Sequence, residues 1–112
     1  MDYSQLSDFE INKRVAICCG FAPEDCEIAK LGTSIVGVEW DDGTGYAIKT
    51  VDYCKSPADA WPIIEKYRIS IINLDEDEWG ARGVAYCKSK RAIHENPLRA
   101  AMIVFLMMQR IQ

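Results

Sequence analysis

The sequence predicts an α+β fold: an N-terminal helix followed by ββαββα, with a mostly antiparallel four-stranded sheet and helices packed on its faces. Three observations carry this reading. "SIVGVEW" and "YAIKTV" flank the turn-rich "DDGTG", and "RISIINL" and "WGARGVAYC" flank the charged "DEDE", so two hairpins are expected. Stretches with helical start signals follow each hairpin. The tetrapeptide "YCKS" occurs at 53–56 and again at 86–89, each time closing a hairpin and leading towards a helix. Strands joined by tight turns pair antiparallel, and a sheet with an apolar face needs helices to cover it.

The first helix is expected from about Asp8 to Cys19. Ser7 and Glu10 have the spacing of a capping box, in which each side chain meets the other residue's backbone N–H. Phe9, Ile11, Val15 and Ala16, with Cys18 or Cys19, give an apolar stripe, and Gly20 supplies a left-handed stop. Residues 21–32, "FAPEDCEIAKLG", read as a loop with one helical turn. In the first hairpin Val36, Val38 and Trp40 alternate with Ile35, Gly37 and Glu39, while Tyr46 and Ile48 lie opposite Ala47 and Lys49.

"SPADAWPIIEKY" is helical but holds Pro62, which would remove a hydrogen bond inside a helix. A regular helix beginning near Asp59 avoids the conflict, with Ser56 to Asp59 as an entry turn and Trp61, Ile64 and Tyr67 as the buried face. In the second hairpin the four acids of "DEDE" read as a solvated tip, and Gly80 and Gly83 suggest a bulge or an edge. After "KSKRAIHE", Asn96 caps and Pro97 starts the last helix.

That last helix is apolar without a break from Ala100 to Met108. This is about half of the ~20 residues that a bilayer span requires, so no membrane anchor is expected. A helix facing only a sheet needs one apolar stripe, so its other sides must touch something else. Met102, Phe105 and Met108 suit the sheet. Ile103, Leu106 and Met107 either meet neighbouring helices or form the seam of a homodimer.

Composition bounds the chemistry. A chain of 112 residues fits one domain, expected over 1–112. Hydrophobic residues at 49% and charged residues at 27% are globular values, which argues against wholesale disorder. The net charge of -4 disfavours binding driven by phosphate neutralisation. Five cysteines are an odd number, and "MDYSQLSDFE" carries acids where an export signal needs lysines and an apolar run. Reduced thiols in a cytoplasm are therefore expected.

No catalytic, cofactor or metal site emerges from the motifs. Cys18 and Cys19 are adjacent and Cys26 follows in a loop, which is not a zinc spacing. A nucleophilic cysteine needs a thiolate beside a histidine or at a helix N-terminus. Cys54 beside Lys55, or Cys87 near Lys88, Lys90 and Arg91, could approach His94, the single histidine. Asp41 and Asp42 sit where a turn favours aspartate. Arg82, Lys88, Lys90, Arg91 and Arg99, with Trp79 and Tyr86 nearby, could build a basic patch for nucleic acid; a solvated charged edge that discourages strand pairing is the simpler account.

Three blocks resemble a known family. "MDYSQLSDFEINKRVA", "DYCKSPADAWPIIEKYRISI" and "NPLRAAMIVFLMMQ" are similar to the NinX-like proteins of lambdoid bacteriophages and enterobacterial prophages. The blocks cover nearly half of the chain. The resemblance implies an α/β/α sandwich and expression in the cytoplasm of a bacterial host, and it brings no catalytic residue, cofactor or partner. The expected function is a small non-catalytic protein-interaction module with a host or phage protein as partner. The alternatives are a small enzyme with a Cys/His site and a nucleic-acid factor using residues 82–99.

Overall fold

The computed structural model describes residues 2–84, 87 and 90–109. These divide into two compact units, Met1–Asp52 and Tyr53–Gln112.

The first unit opens with a 3₁₀ turn, Tyr3–Gln5, and helix α1, Asp8–Cys18. The capping box forms: Glu10 N–H donates to Ser7 Oγ at 3.1 Å, and Ser7 N–H donates to Glu10 Oε1 at 3.2 Å. The helix ends in a Schellman motif on Gly20, φ 106°, with Phe21 N–H on Ala16 O and Gly20 N–H on Ile17 O. Its buried residues are Ile11, Asn12, Val15 and Ala16. The expected stripe is thus corrected at its C-terminal end, where Cys18 and Cys19 are exposed.

After a second 3₁₀ turn, Pro23–Asp25, come β1 (Glu27–Ile28), β2 (Val36–Trp40) and β3 (Ala47–Val51), a three-stranded antiparallel sheet in that order. Strand β1 lies in the segment read as loop. Two residues are too few to alternate, so periodicity could not mark it. The expected faces of β2 also need correction. Glu39 pairs with Lys49 and Gly37 with Thr50, so Val38 is an extra residue and the alternation shifts at that bulge. Trp40 then lies over Gly37 instead of beside Val38. A Cβ on Gly37 would come within 2.4 Å of the Trp40 ring, and the indole N–H donates to Asp25 O at 2.7 Å.

The second unit carries helix α2, Pro57–Tyr67, with Ser56 Oγ accepting from Asp59 N–H at 3.3 Å. The helix therefore starts at Pro57, two residues before the sequence reading, and Pro62 stands inside it. The register is set by the core. Ala60, Ile63 and Ile64 are buried, which turns Pro62 outward, where water can reach the carbonyl left without its N–H partner. The same register places Trp61 outside, 56% exposed, against its expected burial.

Strands β4 (Ser70–Asp75), β5 (Glu78–Arg82) and β6 (Arg91–His94) form a second antiparallel sheet in the order β4-β5-β6. Among the described residues there are thus two three-stranded sheets, not one sheet of four strands. Each expected hairpin gains a third strand, β1 from the segment read as loop and β6 from a segment with no element expected. Strand β6 was hidden in "KSKRAIHE", whose four paired residues include two charged or polar ones. Asp75 and Glu78 pair with each other at the end of the ladder, so only Glu76 and Asp77 turn the chain.

Asn96 caps helix α3, Pro97–Gln109, accepting from the N–H groups of Leu98 at 2.9 Å and Arg99 at 3.3 Å. Its Nδ2 also donates to Cys54 O at 2.6 Å. Helix α3 packs on β4, β5 and β6 and against α2. Tyr67 of α2 meets Phe105 edge-to-face with ring centroids 5.0 Å apart. Every residue from Arg99 to Leu106 is buried, which is what an all-round apolar helix requires.

Candidate functional site

Register and burial separate the two faces of the β4–β6 sheet. Ala81 is buried and its partner Ala92 is half-buried, on the side that α3 covers. Ile72 pairs with Gly80 and Gly80 with Ile93, and this row points the other way. On that outward face Ile72 is 40% exposed, Leu74 49% and Ile93 60%. The face of an antiparallel sheet that meets water ordinarily alternates to polar residues. Here it holds branched aliphatics.

Gly80 gives the face its relief. Leu74 folds over it, and a Cβ there would sit 3.1 Å from Leu74 Cδ1. The result is a groove of about 230 Å³ between Ile72 and Leu74 on one side and Ile93 on the other. Arg82 and Arg91 are exposed at one end, directly opposite each other across the β5–β6 ladder. At the other end the acids Asp75 to Glu78 close the hairpin. Glu78, Gly80 and Arg82 share the outward face because their spacing is two.

Of the basic residues that the sequence singled out, the structure brings together Arg82 and Arg91, with Lys90 half-exposed just before β6. Lys88 lies outside the described residues, as does most of the second "YCKS". Arg99 does not join them, being buried in the first turn of α3. The candidate seam residues Ile103 and Leu106 are 6% and 3% exposed, and Met107 is half-buried. Ile72, Leu74 and Ile93 were missed. Ile72 and Leu74 carry one signal, "SIINL", where apolar residues occupy both parities of a short strand and so exceed what one buried face can use; Ile93 carries none.

The thiols divide by exposure. Cys26, Cys54 and Cys87 are buried and Cys18 and Cys19 exposed. Burial pushes the Cys26 thiol up, with Lys13 opposing, and the partial desolvation of Cys18 at the helix surface raises its thiol against the pull of Arg14. Both shifts work against the thiolate that nucleophilic chemistry needs. His94 Nδ1 accepts a hydrogen bond from Asn96 N–H at 2.9 Å. The backbone thus occupies the Nδ1 lone pair, which is not available to a cysteine. Among the described residues no three His, Cys, Asp or Glu side chains come together as a metal site. Asp41 serves its turn: hydrogen bonds from the Thr44 hydroxyl and then from the backbone of Gly43 and Thr44 hold its carboxyl below the usual range.

An α+β chain of two small antiparallel sheets, one with an open apolar face, defines the class of protein. Residues 2–109 match the family described as Bacteriophage P22, NinX, and the chain belongs to that family. Membership supports its reading as a phage accessory protein. No curated protein and no solved structure matches it. Among the described residues no helix is long and apolar enough to cross a membrane.

Proposed function

We propose that this phage protein is a small non-catalytic interaction module whose contact surface is the outward face of the β4–β6 sheet. The observation that carries the reading is the exposed row of Ile72, Leu74 and Ile93, framed by arginines at one end and acids at the other. Apolar area grouped in this way and rimmed by charge is the usual make-up of a protein–protein contact. The test is affinity capture from phage-infected cells, with wild-type and Ile93→Asp baits side by side. A protein recovered in stoichiometric amount by the wild type and lost from the variant supports the reading. Equal recovery by both baits refutes it, and so does bait alone in both from a chain that is also monomeric in solution.

The Arg82–Arg91 pair favours a second reading, a nucleic-acid contact through these two residues with Lys90 and Lys88. The acids on the same hairpin and the net charge of -4 oppose it, since both repel phosphate. Salt-sensitive retention of DNA or RNA that disappears in an Arg82→Ala/Arg91→Ala protein would restore this alternative.

A further inference from the structure

We infer that the outward face of the β4–β6 sheet is the seam of a homodimer, occupied by a second copy of this chain packed face to face across a two-fold axis. The inference rests on reading that face as a protein-contact surface, and it names the occupant.

The argument is self-complementarity. The row Ile72–Gly80–Ile93 crosses the sheet at the middle of β5. Glu78 lies two residues to one side of that row and Arg82 two residues to the other, both on the outward face, each about 7 Å away along the strand. A two-fold axis lying along the row, between two stacked sheets, reverses the strand direction of the second copy. It lays Ile72 on Ile72 and Ile93 on Ile93. It also carries Glu78 of one copy over Arg82 of the other, twice by symmetry, with Arg91 beside each contact. A two-fold interface requires a surface that complements itself in this way. Stacked sheets stand about 10 Å apart, a gap that aliphatic side chains from both faces fill. A partner of purely acidic or purely basic character would meet a like charge at one end of the groove. Nucleic acid meets that obstacle at Glu78 and its neighbours.

Helix α3 is an inferior seam by comparison, because Ile103 and Leu106 are already covered within one chain.

Light scattering and sedimentation of the full chain, from micromolar to submillimolar concentration, test the inference. Wild type is expected to be a dimer. Glu78→Arg and Arg82→Glu proteins, each carrying like charges at both ends, should each self-associate at least about tenfold more weakly. Mixed in equal amounts they should form a 1:1 heterodimer close to wild-type affinity, because the swap restores opposite charges at both ends. Both substitutions are at exposed positions, so circular dichroism should show an unchanged fold. A wild type that stays monomeric throughout overturns the inference, and so does a dimer that ignores both swaps. If the chain is monomeric yet captures a different protein that Ile93→Asp loses, the occupant proposed here is wrong and the contact-surface reading survives.

Discussion

The buried side chain of Asn12, on α1, donates from Nδ2 to Oδ1 of Asp52 at 2.7 Å, joining residues 40 apart in sequence. The same Nδ2 donates to Ser34 O at 2.8 Å, and Ser34 Oγ donates to Asp52 Oδ2 at 2.9 Å. One amide thus ties the first helix to the segments that enter β2 and leave β3. Asn12→Leu keeps the volume but leaves a carbonyl and a carboxylate short of a donor. It should cost about 1–3 kcal/mol, read as a lower urea midpoint with an unchanged slope. A midpoint equal to wild type would show that water replaces the amide at no cost.

Arg68 predicts a change in the opposite direction. It is the residue at the C-terminus of α2 with φ 53° and ψ 44°, left-handed for a side chain that bears a Cβ. The motif around it is the one that Gly20 closes on α1: Arg68 N–H reaches Glu65 O and Ile69 N–H reaches Ile64 O. The left-handed region costs a non-glycine residue roughly 1–2 kcal/mol, and glycine returns part of that by its freedom in the unfolded chain. Arg68→Gly should therefore stabilise the protein by about 0.5–1 kcal/mol, seen as a raised melting temperature. A lowered one would mean that the guanidinium holds something worth more than the strain.

The capping box makes stability depend on pH in a stated direction. The backbone N–H of Ser7, then its hydroxyl, lowers the pKa of Glu10 from the ordinary 4.5. A carboxyl depressed in the folded state contributes stability above its unfolded pKa, and that contribution fades as pH falls through the folded value. The melting temperatures of wild type and Glu10→Ala should differ near neutrality and converge below 4.5. A gap that stays constant into acid would show that the effect comes from helix propensity and not from the charged cap.

How much of this was written legibly in the sequence depends on the range of the forces concerned. Caps and stops are local, so Ser7, Gly20, Ser56, Asn96 and Pro97 could be read from a few residues each. The unbroken apolar run of α3 announced contacts on several sides, and the helix has them. Strands β1 and β6 were illegible because they exist by pairing with distant residues and are too short to show a period. The start of α2 departs from the sequence expectation because a helix tolerates an internal proline that faces solvent, and the facing of Pro62 is set by the core. Of the candidate site, the charges at Arg82 and Arg91 were visible, but their meeting depends on the β5–β6 register. The aliphatic half was missed, since which parity of "SIINL" turns outward is decided by where α3 packs.

Two isoleucines separate the roles of core and contact surface. Ile103 is 6% exposed on α3, whereas Ile93 is 60% exposed on the outward side of β6. An aspartate at 103 would bury a carboxylate within the packed part of α3, so Ile103→Asp should remove several kcal/mol, roughly 3–5, and leave little folded protein. An aspartate at 93 stays in water. In dilute solution, where association contributes nothing, Ile93→Asp should shift stability by no more than about 0.5 kcal/mol. Its effect belongs at high concentration, where a protein that dimerises through this face gains melting temperature by mass action and the variant does not. Melting curves of both variants and wild type over a hundredfold range of concentration (about 2.7 kcal/mol of linkage at saturation) distinguish the cases. If Ile93→Asp unfolds the chain as Ile103→Asp does, β6 is core on both faces and the contact surface must be sought elsewhere.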